Sequence, residues 1–170
     1  MLLYHGSNMA IVDVNLHLCK PFKDFGRGFY LTTIEAQARL MALRTSRLYS
    51  GKPTITTFSI DEKAIFNSPL VVKSFRSPTL EWAVFVLNNR NHSFADSANE
   101  NCNQDNKYDI VIGPVANDDI ALLLRTYTRG LIDSAALLNG MRYRELNNQY
   151  SFHTADALRL LKREGSKVYE

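Results

Sequence analysis

The sequence lacks the features that define disulfide-rich, metal-binding, membrane-spanning and secreted proteins. Its 170 residues include two cysteines and one tryptophan, and no apolar run approaches the roughly 20 residues that span a bilayer. Cys19 and Cys102 stand far apart and outside any CxxC or Cys/His spacing, which argues against a disulfide framework and against a metal site. The first residues also lack the basic and apolar regions of a signal peptide. We therefore expect a cytoplasmic protein with no metal and no membrane partner.

A strong excess of one charge is also missing, because the formal net charge is +3. The charge is nevertheless uneven: residues 1–90 carry 11 Lys/Arg against 6 Asp/Glu, and residues 91–170 carry 9 against 11. Seven of the basic residues lie between Lys20 and Lys52. A locally basic face suits a ligand that carries phosphate, although a solvated helix face explains most of these side chains equally well.

The remaining composition is that of a globular chain, with 45% hydrophobic residues, and we expect a single domain over residues 1–170. The β-branched and aromatic runs predict strands over residues 2–5, 29–32, 54–60, 70–75, 108–113 and 149–154. Helical periodicity and capping residues predict helices over residues 35–49, 77–89, 117–127, 134–138 and 155–163. The strands are too interrupted for a regular βαβ series, so the predicted fold class is α+β.

The first segment that can carry chemistry is Tyr4-His5-Gly6-Ser7, at the end of the first predicted strand. Glycine allows a ligand to approach the backbone, so that its N–H and C=O can pair with a planar amide. A neutral imidazole at His5 can hydrogen-bond a ribose hydroxyl, and Ser7 can contact an amide or a phosphate. A histidine at a strand end is also common as a partly buried residue with satisfied hydrogen bonds, and this alternative stays open.

The second segment is Asp24-Phe25-Gly26-Arg27-Gly28-Phe29-Tyr30. Its two glycines permit a tight turn, Arg27 offers a cation to a pyrophosphate, and the ring of Phe29 or Tyr30 can stack on a heterocycle. The accompanying motifs of a protein kinase are missing, and so is the Gly-Lys-Ser/Thr end of a P-loop. The alternative interpretation is a tight turn before a core strand.

Together these segments resemble the ADP-ribosyltransferase superfamily, in particular its diphtheria-toxin and poly(ADP-ribose) polymerase branch. That branch has a His-Gly-Ser/Thr strand followed by a Gly-x-Gly-x-Tyr strand. The chain is more closely similar to a bacterial family of unknown function that is placed beside those transferases. The matching segments are Tyr4–Ser7, Asp24–Thr32, Glu81–Val86, Tyr108–Asp118 and Asn148–Phe152.

The resemblance implies a split β-sandwich of two small mixed or antiparallel sheets flanked by helices, with NAD bound as substrate between them. His5 would hold the ribose on the nicotinamide side, Gly6 would pair with the nicotinamide amide, and Tyr30 would stack on the ring. The ligand-binding residues expected from the two segments and the resemblance together are Gly6, Ser7, Phe25, Gly26, Arg27 and Gly28.

The third implied catalytic position departs from the superfamily. A glutamate at the start of a late strand normally stabilises the oxocarbenium-like transition state, and Gln149 stands at the matching position. A glutamine can hydrogen-bond the ribose but brings no negative charge to the developing cation. Glu145 precedes it by four residues and is an alternative source of a carboxylate.

Two functions follow as expectations from the resemblance. The first is an enzyme that transfers ADP-ribose from NAD to a protein or nucleic acid, as a toxin or defence effector controlled by an antitoxin. The second is a binding module of the same fold that recognises NAD or ADP-ribose with little or no turnover, and Gln149 favours this alternative.

Overall fold

The computed structural model describes residues 1–142 and 147–169. Over these residues the chain is α+β, with seven strands and six helices. The strands are β1 (Leu2–Ser7), β2 (Phe29–Thr32), β3 (Thr54–Ser59), β4 (Val72–Ser74), β5 (Ile110–Pro114), β6 (Asn148–Phe152) and β7 (Lys162–Val168). The helices are α1 (Glu35–Tyr49), α2 (Glu62–Asn67), α3 (Leu80–Arg90), α4 (Asp118–Thr128), α5 (Ser134–Arg142) and α6 (Ala155–Leu158).

The strands form one mixed sheet in the order β4-β5-β6-β2-β1-β3-β7, in which β4 and β5 run parallel and the other neighbours antiparallel. The prediction of two small sheets is therefore wrong, because β1 and β2 are paired. Their pairing is nevertheless minimal. Within the described residues it consists of Tyr4 opposite Thr32, whereas β1 and β3 pair over the six positions from Leu2 to Ser7. This joint divides the sheet into a four-stranded half (β4-β5-β6-β2) and a three-stranded half (β1-β3-β7).

One face of the sheet carries an apolar cluster that spans both halves. Side chains alternate between the two faces of a strand, so every second residue contributes. The buried members are Leu3, Phe29, Leu31, Phe58, Ile60, Ile65, Ile110, Ile112, Phe152 and Ala157. Because these residues come from both sides of the joint, this cluster holds the two halves together.

The opposite face is covered differently over each half. Over the four-stranded half, α3, α4 and α5 bury a cluster of apolar side chains, most of them large: Phe25, Phe75, Trp82, Ala83, Phe85, Val86, Val111, Ala116, Ile120, Leu124, Leu137 and Met141. Over the three-stranded half, α1 approaches β1 through Ala38 and Ala42. A Cβ on Gly6 would lie 1.8 Å from the carbonyl oxygen of Ala38, so this close approach requires glycine.

Several elements confirm the sequence predictions. Helix α1 has the predicted bounds, and Asn117 caps α4 by accepting a hydrogen bond from the backbone N–H of Ile120 at 3.0 Å. The sequence did not predict α2 or β7, and α6 ends at Leu158 rather than near residue 163. Among the described residues, no helix combines the length and apolar character needed to cross a membrane.

Candidate functional site

The three segments that carry the predicted site form three adjacent strands. β1 supplies Tyr4–Ser7, β2 is the strand that follows the glycine bend, and β6 carries Gln149. β2 lies between the other two, and Thr32 is opposite Tyr4 on one side and opposite Gln149 on the other. Segments that are more than a hundred residues apart in the sequence are therefore neighbours in the sheet.

His5 lies at the joint between the two halves. Its Nδ1 is 2.8 Å from the carbonyl oxygen of Tyr30, and its ring centroid is 4.5 Å from that of Phe29. A carbonyl oxygen can only accept, so Nδ1 carries the proton of this hydrogen bond. Burial lowers the pKa of His5, which keeps the ring neutral at pH 7 and leaves Nε2 as an acceptor. Nε2 forms no hydrogen bond with the described residues, and the side chain is partly exposed.

Tyr30 uses its hydroxyl to close the glycine bend. The hydroxyl donates to the carbonyl oxygen of Gly26 at 2.8 Å and accepts from the backbone N–H of Phe25 at 3.0 Å. Burial, and secondarily the charge of Asp24, raises the pKa of Tyr30 well above 10, so the phenol stays protonated. Its ring packs against the cluster under α3, α4 and α5.

The rings of His5 and Tyr30 do not face each other. His5 packs on Phe29, and Phe29 and Tyr30 are successive strand residues whose side chains point to opposite faces. The expectation that Tyr30 stacks on the nicotinamide ring while His5 holds the adjoining ribose is therefore wrong for this arrangement. Because side chains alternate along β2, Tyr30 must point to the face opposite Phe29, and therefore away from His5.

The two glycines of the bend are required by packing. Gly26 has φ +89°, and a Cβ there would lie 2.8 Å from the carbonyl oxygen of Asn103. A Cβ on Gly28 would lie 2.6 Å from Nδ1 of His153. These contacts favour the interpretation of the bend as a tight turn before a core strand.

The other predicted ligand-binding residues differ in accessibility. Phe25 is fully buried in the core, so its assignment to a ligand surface is wrong. Arg27 is partly exposed, and its guanidinium donates to the carbonyl oxygens of His17 and Cys19 at 2.9 and 3.1 Å. Ser7 is also partly exposed, with its hydroxyl 3.3 Å from Oδ1 of Asn8. Arg27 and Ser7 thus keep polar groups near the surface.

Gln149 is held by a buried carboxylate. Its Nε2 donates to Oδ2 of Asp24 at 2.8 Å, and the same oxygen accepts from the backbone N–H of Ala116 at 3.0 Å. Oδ1 of Asp24 accepts two hydrogen bonds from Arg90, at 2.6 and 3.0 Å. Asp24 and Gln149 are 7% and 8% exposed, so the four bonds compensate a charge that burial would otherwise penalise.

Sequence reasoning missed the roles of Asp24, Arg90 and His153. No spacing reveals a pair as distant as Asp24 and Arg90. His153 had a detectable signal, because alternation in the late strand places Ser151 and His153 on the face away from Phe152. Nδ1 of His153 donates to the carbonyl oxygen of Arg27 at 2.7 Å, and Nε2 lies 2.8 Å from Oγ of Ser151.

Burial lowers the pKa of His153 to about 4, so the ring is neutral at pH 7. Its hydrogen bond to the Arg27 carbonyl supports the glycine bend. The alternative carboxylate, Glu145, lies outside the described residues. In the part of the chain that the structure describes, no group of His, Cys, Asp and Glu is arranged to hold a metal ion.

The comparisons with known proteins identify the family. Residues 1–163 match the model of the family described as "Protein of unknown function (DUF3990)", and the chain belongs to that family. No curated protein matches the chain, and no solved structure matches it.

Proposed function

We propose that the chain is an NAD-dependent ADP-ribosyltransferase that transfers ADP-ribose to a protein or nucleic-acid acceptor. The observation that carries the proposal is the adjacency of β6, β2 and β1, with Thr32 opposite both Tyr4 and Gln149. The three separate segments of the transferase signature therefore border one small region of the sheet.

His5 contributes the most specific chemistry to this proposal. Nδ1 of the neutral ring donates to the Tyr30 carbonyl, so the lone pair of Nε2 points away from that carbonyl. A ribose hydroxyl can donate a hydrogen bond to Nε2. Transfer of ADP-ribose requires little acid–base catalysis, because nicotinamide leaves as a neutral molecule from a cationic substrate. Positioning of the ribose therefore supplies much of the rate.

Gly6 is the proposed partner of the nicotinamide amide. The pairing of β1 with β2 ends at Tyr4, two residues before Gly6, and β1 continues to Ser7. Beyond the joint, the edge of β1 that faces β2 offers backbone N–H and C=O groups to a planar amide. Arg27 and Ser7 stand at the surface, where a cation and a hydroxyl suit the pyrophosphate.

A second candidate is a module of the same fold that binds NAD or ADP-ribose without efficient turnover. The hydrogen bond from Gln149 to Asp24 favours it, because this amide is already engaged and no carboxylate takes its place among the described residues of β6. The electrostatic stabilisation of an oxocarbenium-like transition state is then reduced. A toxin or defence role under an antitoxin is part of the proposal for the active enzyme.

The test of the proposal is incubation with NAD labelled separately in its adenylate phosphate and in nicotinamide, with and without cell lysate. An active enzyme releases nicotinamide and transfers the phosphate label to material that protease or nuclease then degrades. His5→Ala should abolish both signals, whereas His17→Ala, at an exposed histidine, should leave them unchanged. Saturable NAD binding without either product would favour the module, and absence of binding would contradict both candidates.

The role of Gln149 needs a paired substitution. Gln149→Glu alone would set two carboxylates at the 2.8 Å contact with Asp24 and would destabilise the fold. Asp24→Asn with Gln149→Glu keeps one carboxylate and one amide and moves the charge to β6. If the missing charge limits turnover, the double variant should release nicotinamide faster than Asp24→Asn alone; an equal or lower rate would contradict this explanation.

A further inference from the structure

Helix α1 turns its large apolar residues outward. The side that faces β1 is built from Ala38 and Ala42, while Leu40 and Leu48 are 68% and 65% exposed and Met41 is 48% exposed. At about 100° per residue, Leu40 lies opposite the alanines, and Met41 and Leu48 lie on one flank of the helix, roughly 80–100° from them. An exposed stripe of this kind is typical of a surface that contacts another molecule.

The exposed side of α1 also carries two cations, Arg44 and Arg47. A groove of about 350 Å³ is lined by Leu40, Leu43, Arg44, Arg47 and Leu48. Neither guanidinium forms an ion pair or a hydrogen bond with the described residues. The groove therefore combines apolar walls with two cations that are available to carboxylates.

Side chains at both ends of α1 contact other parts of the chain, and the middle of the helix packs on β1. At the first turn, the hydroxyl of Tyr169 donates to Oε1 of Glu35 at 2.5 Å, which engages the carboxylate of the first turn. At the last turn, the ammonium of Lys20 lies 4.1 Å from the ring centroid of Tyr49. The backbone of α1 is therefore already in place, and a partner need not fold it on binding.

We infer that this outer face of α1 binds an acidic amphipathic helix of a partner protein. Leucines of such a helix match the apolar walls, and its Glu or Asp side chains match Arg44 and Arg47. The two arginines lie among the leucines rather than along the margins of the stripe. This arrangement suits a discrete carboxylate placed between apolar contacts. A lipid surface would draw Arg44 and Arg47 into the acyl region together with the leucines, which is costly for a cation, and a nucleic-acid backbone would leave the leucines uncovered.

The test uses a fluorescent synthetic peptide of about 18 residues, long enough to form a helix, with leucines at i, i+3, i+4 and i+7 and glutamates beside them. Fluorescence anisotropy should show saturable binding to the full chain. Arg44→Glu with Arg47→Glu should weaken binding by at least about tenfold. The same double variant should bind a peptide in which lysines replace the glutamates. Leu40→Ser should also weaken binding.

The matched control is Arg129→Glu with Leu131→Ser, an exposed arginine and an exposed leucine away from α1, and it should bind the acidic peptide as the unaltered chain does. Circular dichroism would verify that each variant is folded. The inference is overturned if the acidic peptide does not bind saturably, or if the α1 and control variants bind it equally. It is also overturned if anionic phospholipid vesicles or duplex DNA bind through Arg44 and Arg47 while the peptide does not.

Discussion

The four-stranded half of the sheet has large apolar side chains on both faces, whereas the three-stranded half receives α1 through two alanines and a glycine. Burial of a large apolar side chain stabilises the fold by about 1.5–3 kcal/mol, so most of this stabilisation lies in the four-stranded half. The candidate site lies where the halves meet, at the single pairing of Tyr4 with Thr32. The four-stranded half, with the larger apolar core, therefore anchors β2 and β6, and the three-stranded half presents His5 and Gly6 beside them.

The largest expected effect is in the core of the four-stranded half. Phe85 is fully buried and contacts the rings of Phe25, Phe75 and Tyr108. Phe85→Ala should lower the free energy of unfolding by about 3–5 kcal/mol, measured by urea denaturation. A loss below about 1 kcal/mol would show that this half does not dominate stability.

The second effect depends on pH. The pKa of His153 is about 4 in the folded chain and near 6.5 when unfolded, so between these values the unfolded state binds the extra proton. Stability should therefore fall as pH drops from about 6.5 to 4, with a contribution from this residue of about 3 kcal/mol.

Urea denaturation across this pH range measures the contribution of His153. In His153→Gln, the loss of stability between pH 6.5 and 4 should be smaller than in the unaltered chain. His17→Gln, which removes an exposed histidine, is the matched control and should keep the full loss. Equal slopes for all three proteins would contradict the assignment.

The third effect tests the close approach in the three-stranded half. Gly6→Ala places a Cβ against the backbone of α1 and should destabilise the fold by about 1–3 kcal/mol, because the helix must move away from β1. Gly165→Ala in β7 is the matched control, since nothing lies within 4 Å of the added Cβ. Thermal unfolding of both variants would measure the difference, and equal melting temperatures would argue against the close packing of α1.

The smallest effect is expected on the outer face of α1. Leu40→Ala removes a side chain that is 68% exposed and should change the free energy of unfolding by no more than about 0.5 kcal/mol. A loss as large as that of Phe85→Ala would mean that Leu40 is buried in the folded chain. It would contradict the placement of the alanines of α1 toward the sheet and of Leu40 toward solvent.

The sequence predicted elements whose signals are local. The bounds of α1 and the cap of α4 at Asn117 follow from periodicity and capping within a few residues. β7 was missed because its sequence, Lys162–Val168, is a charged edge strand without apolar alternation. Its place beside β3 depends on a pairing between residues about a hundred positions apart.

The candidate site was predictable in its segments but not in its contacts. His5 and Tyr30 were named from the motifs, yet their faces depend on the register of β1 against β2. The engagement of Gln149 depends on Asp24, which is 125 positions away, and on a backbone turn that brings the two together. Long-range register and buried polar partners leave no periodic signal in a single sequence.

The proposed function is tested most directly at Nε2 of His5, which should accept a hydrogen bond from a ribose hydroxyl of bound NAD. The direct measurement is an NMR titration of the chain, labelled with ¹⁵N in its histidine rings, against NAD. The His5 Nε2 resonance should shift saturably with Nδ1 still protonated, while the ring signals of exposed His17 stay in place. An unchanged Nε2 resonance at saturating NAD would contradict the proposed role of His5.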